Sequence, residues 1–307
     1  MQQRSFFQYL VVTLKGMAMG AADVVPGVSG GTIAFISGIY EELLGAISSV
    51  DMKALQLLLK GRFKALWQHV NGGFLLALLL GIFISIVTLA KVISWMLDNE
   101  PILLWSFFFG LVLASIIAIG KEISVWSILT VLVFVAGAVL AYYITTLEPL
   151  VTTKTSLFFL FISGMLAICA MILPGISGAF ILVLLGAYEV VLEAIHQRDI
   201  TLLLVLVAGA VTGLLTFSKI LKWLFDRFRN IMLALLTGFI CGSLNKIWPW
   251  KQVLETQLFD GKEVIIKEIS VLPGQYQGVP QLTGAIVLAI VGFCLILILE
   301  KLAKTSR

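Results

Sequence analysis

Polar residues along this chain are bunched into short clusters, and between them run ten apolar segments. Six stand alone and read as full spans, for which a helix needs roughly 20 residues: Gly73–Met96, Ile102–Gly120, Val125–Thr146, Thr201–Leu221, Ile231–Lys246 and Leu282–Glu300. The other four come as two couples, Phe6–Ala22 with Gly31–Ile47 and Leu157–Leu173 with Ala179–Ile195, each couple interrupted by Pro-Gly-x-Ser-Gly. Proline cannot continue a helix and glycine loosens it. Each couple is therefore expected to enter as one half-helix, break near the membrane midplane and return to the same face.

Two polar stretches carry patterns of their own. In Asp51–Val70, Lys53, Lys60 and Lys64 alternate with Leu55, Leu58, Leu59, Leu66 and Trp67. The spacing predicts a basic amphipathic helix lying on an anionic leaflet. In Trp248–Gln281, an Asp260-Gly261 turn separates two alternating runs and predicts a small β-hairpin.

The chain resembles itself. At an offset of 148, Gly16–Ile47 lies over Gly164–Ile195 without a gap, and 14 of 32 columns are identical. The shared residues include Pro26/Pro174, Gly27/Gly175, Ser29/Ser177, Gly30/Gly178, Tyr40/Tyr188 and Glu41/Glu189. Chance likeness between apolar segments would match Leu and Val instead. The expected fold is an all-α polytopic membrane protein of two repeats, residues 1–150 and 151–307. Each repeat is a re-entrant hairpin (6–47 and 157–195) followed by three transmembrane helices. A hairpin makes no net crossing and three spans make one, so the second repeat is expected to be inverted. Placing both termini in the cytoplasm puts fourteen Lys and Arg inside, Arg4, Lys53 and Arg229 among them, against seven outside, including Lys246, Lys251 and Lys267. That bias follows the positive-inside rule.

Composition agrees. Of 307 residues, 60% are hydrophobic and 12% charged, with mean hydropathy +1.07, whereas a soluble chain is about a quarter charged. Cys169, Cys241 and Cys294 sit inside apolar runs without metal-binding spacing. Arg4 before Phe6–Leu14 has the outline of a signal peptide, but Lys15 closes the run and the segment recurs mid-chain, so it reads as structure.

Paired broken helices of this kind point to a midplane binding site. After each break, the second half-helix starts with unpaired N–H groups and a dipole worth about half a positive charge. Two such ends brought together would attract an anion, a phosphate or a carboxylate, without a buried Lys or Arg. Ser29, Thr32 and Ser177 add hydroxyls, while Gly27, Gly30, Gly31, Gly175 and Gly178 let a ligand reach the backbone. Asp23, at membrane depth, faces Met171 in the alignment. It is a candidate for proton or cation coupling, or alternatively an N-cap or a partner of Lys15. Tyr40-Glu41 and Tyr188-Glu189 close the returning half-helices and are candidates for gates, or else interfacial anchors. His69 and His196 fall in loop-like segments. No metal, cofactor or nucleic-acid partner is expected.

At Asp23-Val-Val-Pro-Gly-Val-Ser-Gly-Gly-Thr32 and Leu173-Pro-Gly-Ile-Ser-Gly178, the chain resembles the bacterial polyprenyl-phosphate transporter family over essentially its whole length. The second motif departs from the first at Ala179 and Met171. The resemblance implies a multi-pass inner-membrane flippase that returns undecaprenyl phosphate to the cytoplasmic leaflet for reuse in envelope synthesis. On that view Ser29, Ser177 and the adjoining glycine amides hold phosphate, and Asp23, Glu41 and Glu189 handle protons. Its partners would be the polyprenyl-phosphate lipid and surrounding membrane lipids, and a homo-oligomer is compatible with it. An ion-coupled carrier of a small soluble anion fits the same residues. An intramembrane lipid phosphatase fits less well, because no span interior offers His or Arg beside a nucleophile.

Overall fold

A computed structural model describes residues 4–25, 28–147, 156–259 and 262–305, the segments 255–259, 262–267 and 299–305 through their backbone alone. The first half begins with α1 (Phe6–Val24), started by a capping box in which Ser5 and Gln8 satisfy each other's backbone N–H. After the break come α2 (Gly30–Ile36) and α3 (Tyr40–Ser48), then α4 (Met52–Leu59) and α5 (Phe63–His69). Three long helices follow: α6 (Gly72–Asn99), α7 (Pro101–Gly120) and α8 (Ile128–Thr146). The second half runs through α9 (Leu157–Ile172), α10 (Gly178–Leu184), α11 (Tyr188–His196), α12 (Ile200–Ser243), a 3-10 turn (Leu244–Ile247), β1 (Lys251–Phe259), β2 (Lys262–Ser270) and α13 (Leu282–Thr305). Among the described residues, four helical segments are long and apolar enough to cross a membrane: α6, α7, α8, and α12 with its 3-10 extension. This is an integral membrane protein.

The long helices pack in pairs, α1 on α6, α9 on α12, α8 on α12 and α7 on α13. The contacts are made where glycine lets backbones touch, as expected where lipid tails are as apolar as leucine. A methyl group at Gly16 would overlap the Leu78 carbonyl, and one at Gly81 the Thr13 carbonyl; Gly164 meets Leu206 and Gly209 meets Phe161 in the same way. On the other side, Gly110 against Ala289 and Gly292 against Phe107 are matched by Gly238 against Phe134 and Gly137 against Leu235. The likeness of the halves thus extends past the aligned motif into the spans. The offset falls from 148 at α1 to 128 at α6 because residues 51–70 have no counterpart in the second half. At α13 it rises to 155 because the β-hairpin has none in the first.

Several expectations need correction. The spans placed at Thr201–Leu221 and Ile231–Lys246 are the two helices that make up α12 and meet at a kink at Phe228 (φ −131°, ψ 45°). The first runs on past Leu221, where Lys222 pairs with Asp226 one turn on, at 2.9 Å. Glu100, between α6 and α7, has the same conformation (φ −134°, ψ 51°) and stands at the equivalent position. The amphipathic helix at 51–70 is two helices, split where Gly61 adopts φ 66°. Asp51 caps the first through Ala54 N–H at 2.9 Å and meets His69 Nε2 at 3.1 Å. The Ala54 hydrogen bond, then His69, holds the exposed Asp51 carboxyl below its ordinary range. His69 and His196 end helices α5 and α11 and do not lie in loops.

The returning arms are also divided, because Gly38 (φ 72°) and Gly186 (φ 68°) take the left-handed conformation. Tyr40-Glu41 and Tyr188-Glu189 accordingly open α3 and α11 instead of closing the half-helices, and α10 and α11 are bent by 103°. The expected hairpin forms, with Lys251 opposite Ser270; its Asp260-Gly261 turn lies outside the described residues.

The glycine crossings generate a prediction. Gly81→Leu and Gly209→Leu should each lower unfolding stability by roughly 3 kcal/mol or more, since backbone blocks any local adjustment. Gly274→Leu, with nothing within 4 Å of a Cβ, should be near neutral. Thermal unfolding of the three purified variants in detergent checks this.

Candidate substrate site between two broken helices

At the first break α1 stops at Val24, and Val25 turns extended. The chain folds back so that Asp23 Oδ1 accepts the N–H of Gly30, at the start of α2, at 2.7 Å. Gly30 has to be glycine, because a Cβ would collide with that carboxylate. Ser29 caps the same helix, accepting from Gly31 N–H at 3.1 Å. Pro26 and Gly27 lie outside the described residues.

The second break is bound directly to the first. Ser29 donates its hydroxyl proton to the Met171 carbonyl at 3.2 Å, and Thr32 Oγ1 accepts the Gly175 N–H at 2.9 Å. Ser29 and Thr32 are buried. A Cβ on Gly31 would come within 2.8 Å of Ile172 O and 2.9 Å of Met171 O, so only glycine allows the two backbones this close. Gly175 takes φ 91° against Ser243 and Phe239 of α12. The loops predicted to meet inside the bundle do meet, joined by hydrogen bonds between residues more than 140 positions apart.

The arrangement differs from two free helix starts facing an anion. The α2 amides of Gly30 and Gly31 are taken by Asp23 and Ser29, and Thr32 N–H bonds to Ser29 O at 2.9 Å. Ser29 is the N-cap of α2, and Asp23 adds a second side-chain acceptor at the same helix start, where a negative charge offsets the helix dipole. Lys15 donates to the Ser37 carbonyl at 2.6 Å. Ser177 makes no capping hydrogen bond and is half-buried, while Gly178 fits tightly, with a Cβ there 2.7 Å from Ala167 O. The first half-site is closed on itself; the second is the more open.

The outer arms repeat this asymmetry. Tyr40 is 2% exposed, its ring edge-on to Phe35 (5.0 Å) and Phe225 (5.7 Å), and among the described residues its hydroxyl has no partner. Tyr188 is 37% exposed. Glu41 pairs with Arg229 at 2.9 Å, and Arg229 also reaches Glu122 at 3.3 Å. Glu189 is exposed, without an ion pair among the described residues. Sequence reasoning missed the Arg229 link, because residues from α3, the turn after α7 and α12 converge there. It missed as well a cluster of Lys246, Lys251 and Glu268 beside the second break. Among the described residues, no group of three or more His, Cys, Asp or Glu could hold a metal ion.

Comparison with known proteins is in keeping with this architecture. The model of the undecaprenyl phosphate translocase-like family matches residues 19–264, a stretch that contains both breaks and the spans from α6 to α12. The chain belongs to that family. It is 46% identical over 301 residues to a polyprenyl-phosphate transporter of Vibrio cholerae serotype O1, covering 96% of this chain and 97% of the relative. A polyprenyl-phosphate transporter of Staphylococcus aureus is 31% identical over 253 residues, covering 77% and 85%. No solved structure matches the chain.

The two family motifs differ in what their serines hold, and this is measurable. Ser29→Ala should cost about 1 kcal/mol through the lost cap, while Ser177→Ala should leave stability within about 0.5 kcal/mol of the parent. Chemical unfolding in detergent compares them; equal losses would contradict the asymmetry.

Proposed function

We propose that the protein carries polyprenyl phosphate, with undecaprenyl phosphate as substrate, from the outer to the cytoplasmic leaflet of the bacterial inner membrane. The two halves are inverted repeats with both termini cytoplasmic, and no covalent chemistry is involved. The observation that supports transport most directly is the contrast between equivalent residues, Tyr40 buried and Tyr188 exposed, around two motifs that touch. A carrier alternates between states in which one repeat is shut and the other open. In this reading the structure is a cytoplasm-closed state, barred by Phe35, Tyr40 and Phe225 and by the Arg229 ion pairs. The names of the two relatives point to the same substrate class.

The headgroup is a phosphate monoester of charge about −1.5 to −2. It meets Ser177 and Gly178 first, beside Gly175 whose amide is held by Thr32, then Ser29, Gly30, Gly31 and Thr32, with Gly27 in the same loop. Asp23 already occupies the Gly30 amide as a built-in anion, so phosphate and carboxylate compete for one donor. Protonating Asp23 weakens it as an acceptor and removes its repulsion, which favours phosphate binding. Glu41 and Glu189 provide proton access from the two faces. Acidification should therefore speed uptake.

Three measurements decide the matter. Undecaprenyl phosphate should raise the unfolding temperature of the purified protein and inorganic phosphate should not; equal stabilisation would favour a soluble-anion carrier. In proteoliposomes Ser177→Ala should slow lipid flipping about tenfold, the loss expected for one hydrogen bond to a charged group. Asp23→Asn should flatten the pH profile, and a profile unchanged from the parent would end the coupling proposal.

A further inference from the structure

The 3-10 turn Leu244–Ile247 prolongs α12 beyond Ser243, whose Oγ would lie 2.9 Å from a Cβ on Gly175. Lys246 consequently stands beside the second break. Its ammonium lies 5.1 Å from the centre of the Phe180 ring, two residues beyond Gly178, and donates to Glu268 Oε1 at 3.0 Å. Lys251 donates to the same oxygen at 2.7 Å and to the Lys246 carbonyl at 2.6 Å, with its ammonium 5.3 Å from the Trp105 ring. The β-hairpin is already tied to the turn without the Lys246 ammonium, by Lys251 on the Lys246 carbonyl and by Ser270 on Asn245, and Glu268 already has Lys251 as its partner within the hairpin. Bringing a second cation to one carboxylate oxygen leaves an excess positive charge in a half-buried place, which is costly unless something uses it.

The state of the cluster agrees. Burial pulls the Lys251 ammonium below its ordinary value, Glu268 opposes the shift and Lys246 adds to it. Burial pushes Glu268 up, but the two lysines outweigh it and hold the carboxyl below its ordinary value. Trp248 packs edge-on to Phe109 and Trp250, and both indoles donate to backbone carbonyls, of Val271 and Pro280. Aromatic side chains so arranged sit at headgroup level in membrane proteins. Cations at that depth meet lipid phosphates.

We propose that Lys246, backed by Lys251, is a docking site for a phosphate monoester headgroup at the mouth of the second break, receiving it before it reaches Ser177. Lys246 spends one of its three N–H donors on Glu268, and among the described residues no protein group takes the others. Glu268 sets the selectivity. A net charge of about +1 merely balances a phosphodiester, whereas a dianionic monoester keeps a surplus attraction. The inference deepens the transport reading and rests on it.

Titration of the purified full-length protein with undecaprenyl phosphate, phosphatidylglycerol and inorganic phosphate tests it. Lys246→Gln should weaken undecaprenyl phosphate binding about tenfold and reduce its preference over phosphatidylglycerol. Lys246→Arg should stay within about threefold of the parent on both counts. Equal binding by parent and Lys246→Gln would overturn this inference alone, as would equal weakening for both lipids, which marks general surface charge. A loss of ligand-free stability does not alter the selectivity ratio, so that ratio decides even if the variant is less stable. Failure of the parent to bind the lipid would instead overturn the transport reading. Binding of inorganic phosphate as tight as that of the lipid, and lost in Lys246→Gln, would keep the anion site and reject the lipid as its source.

Discussion

Inside a bilayer a broken helix has no water to satisfy its loose amides and carbonyls, and every other feature of this protein follows from how that cost is met. The two breaks are bound to each other, although only the second needs the other for its amides. The first draws on Asp23 and Ser29 for its amides, and Ser29 uses its remaining proton on Met171. The second depends on Thr32 for the amide of Gly175. Loops so bound to each other are held at one place in the bundle, and the glycines at 30, 31, 175 and 178 keep that place narrow.

Around this centre the frame is closely packed and the arms less so. The long helices are locked by glycines seated on neighbouring carbonyls, in patterns that the two halves share. The short arms α3 and α11 hang on left-handed glycines at 38 and 186 and make fewer contacts with the frame. Matching residues in those arms sit in different surroundings, Tyr40 packed among rings and Tyr188 open.

Much of the fold was legible because lipid imposes simple rules. Length and hydropathy placed the spans within a few residues, and Ser, Gly and Pro at a fixed offset exposed the duplication. Ser29 and Thr32 were singled out as hydroxyls for a ligand, but in the structure both serve the loop of the second break, which spacing cannot reveal. The joint in α12 falls at Phe228, inside the charged stretch that separated the two predicted spans, and Pro101 marks the equivalent joint in the first half. The Lys246, Lys251 and Glu268 cluster was unreadable because its charges cancel to almost nothing when counted along the loop.

By itself the sequence determined membrane residence, the two copies of one motif and the positions of both breaks, since each depends on local hydropathy or on residues that forbid helix. The tertiary structure alone decided which amides are occupied, which copy is closed and which cations share an acid. Those outcomes depend on side-chain contacts made only once the chain is folded, some of them between residues as distant as Thr32 and Gly175 or Glu41 and Arg229, and similar local sequences can satisfy them in unlike ways.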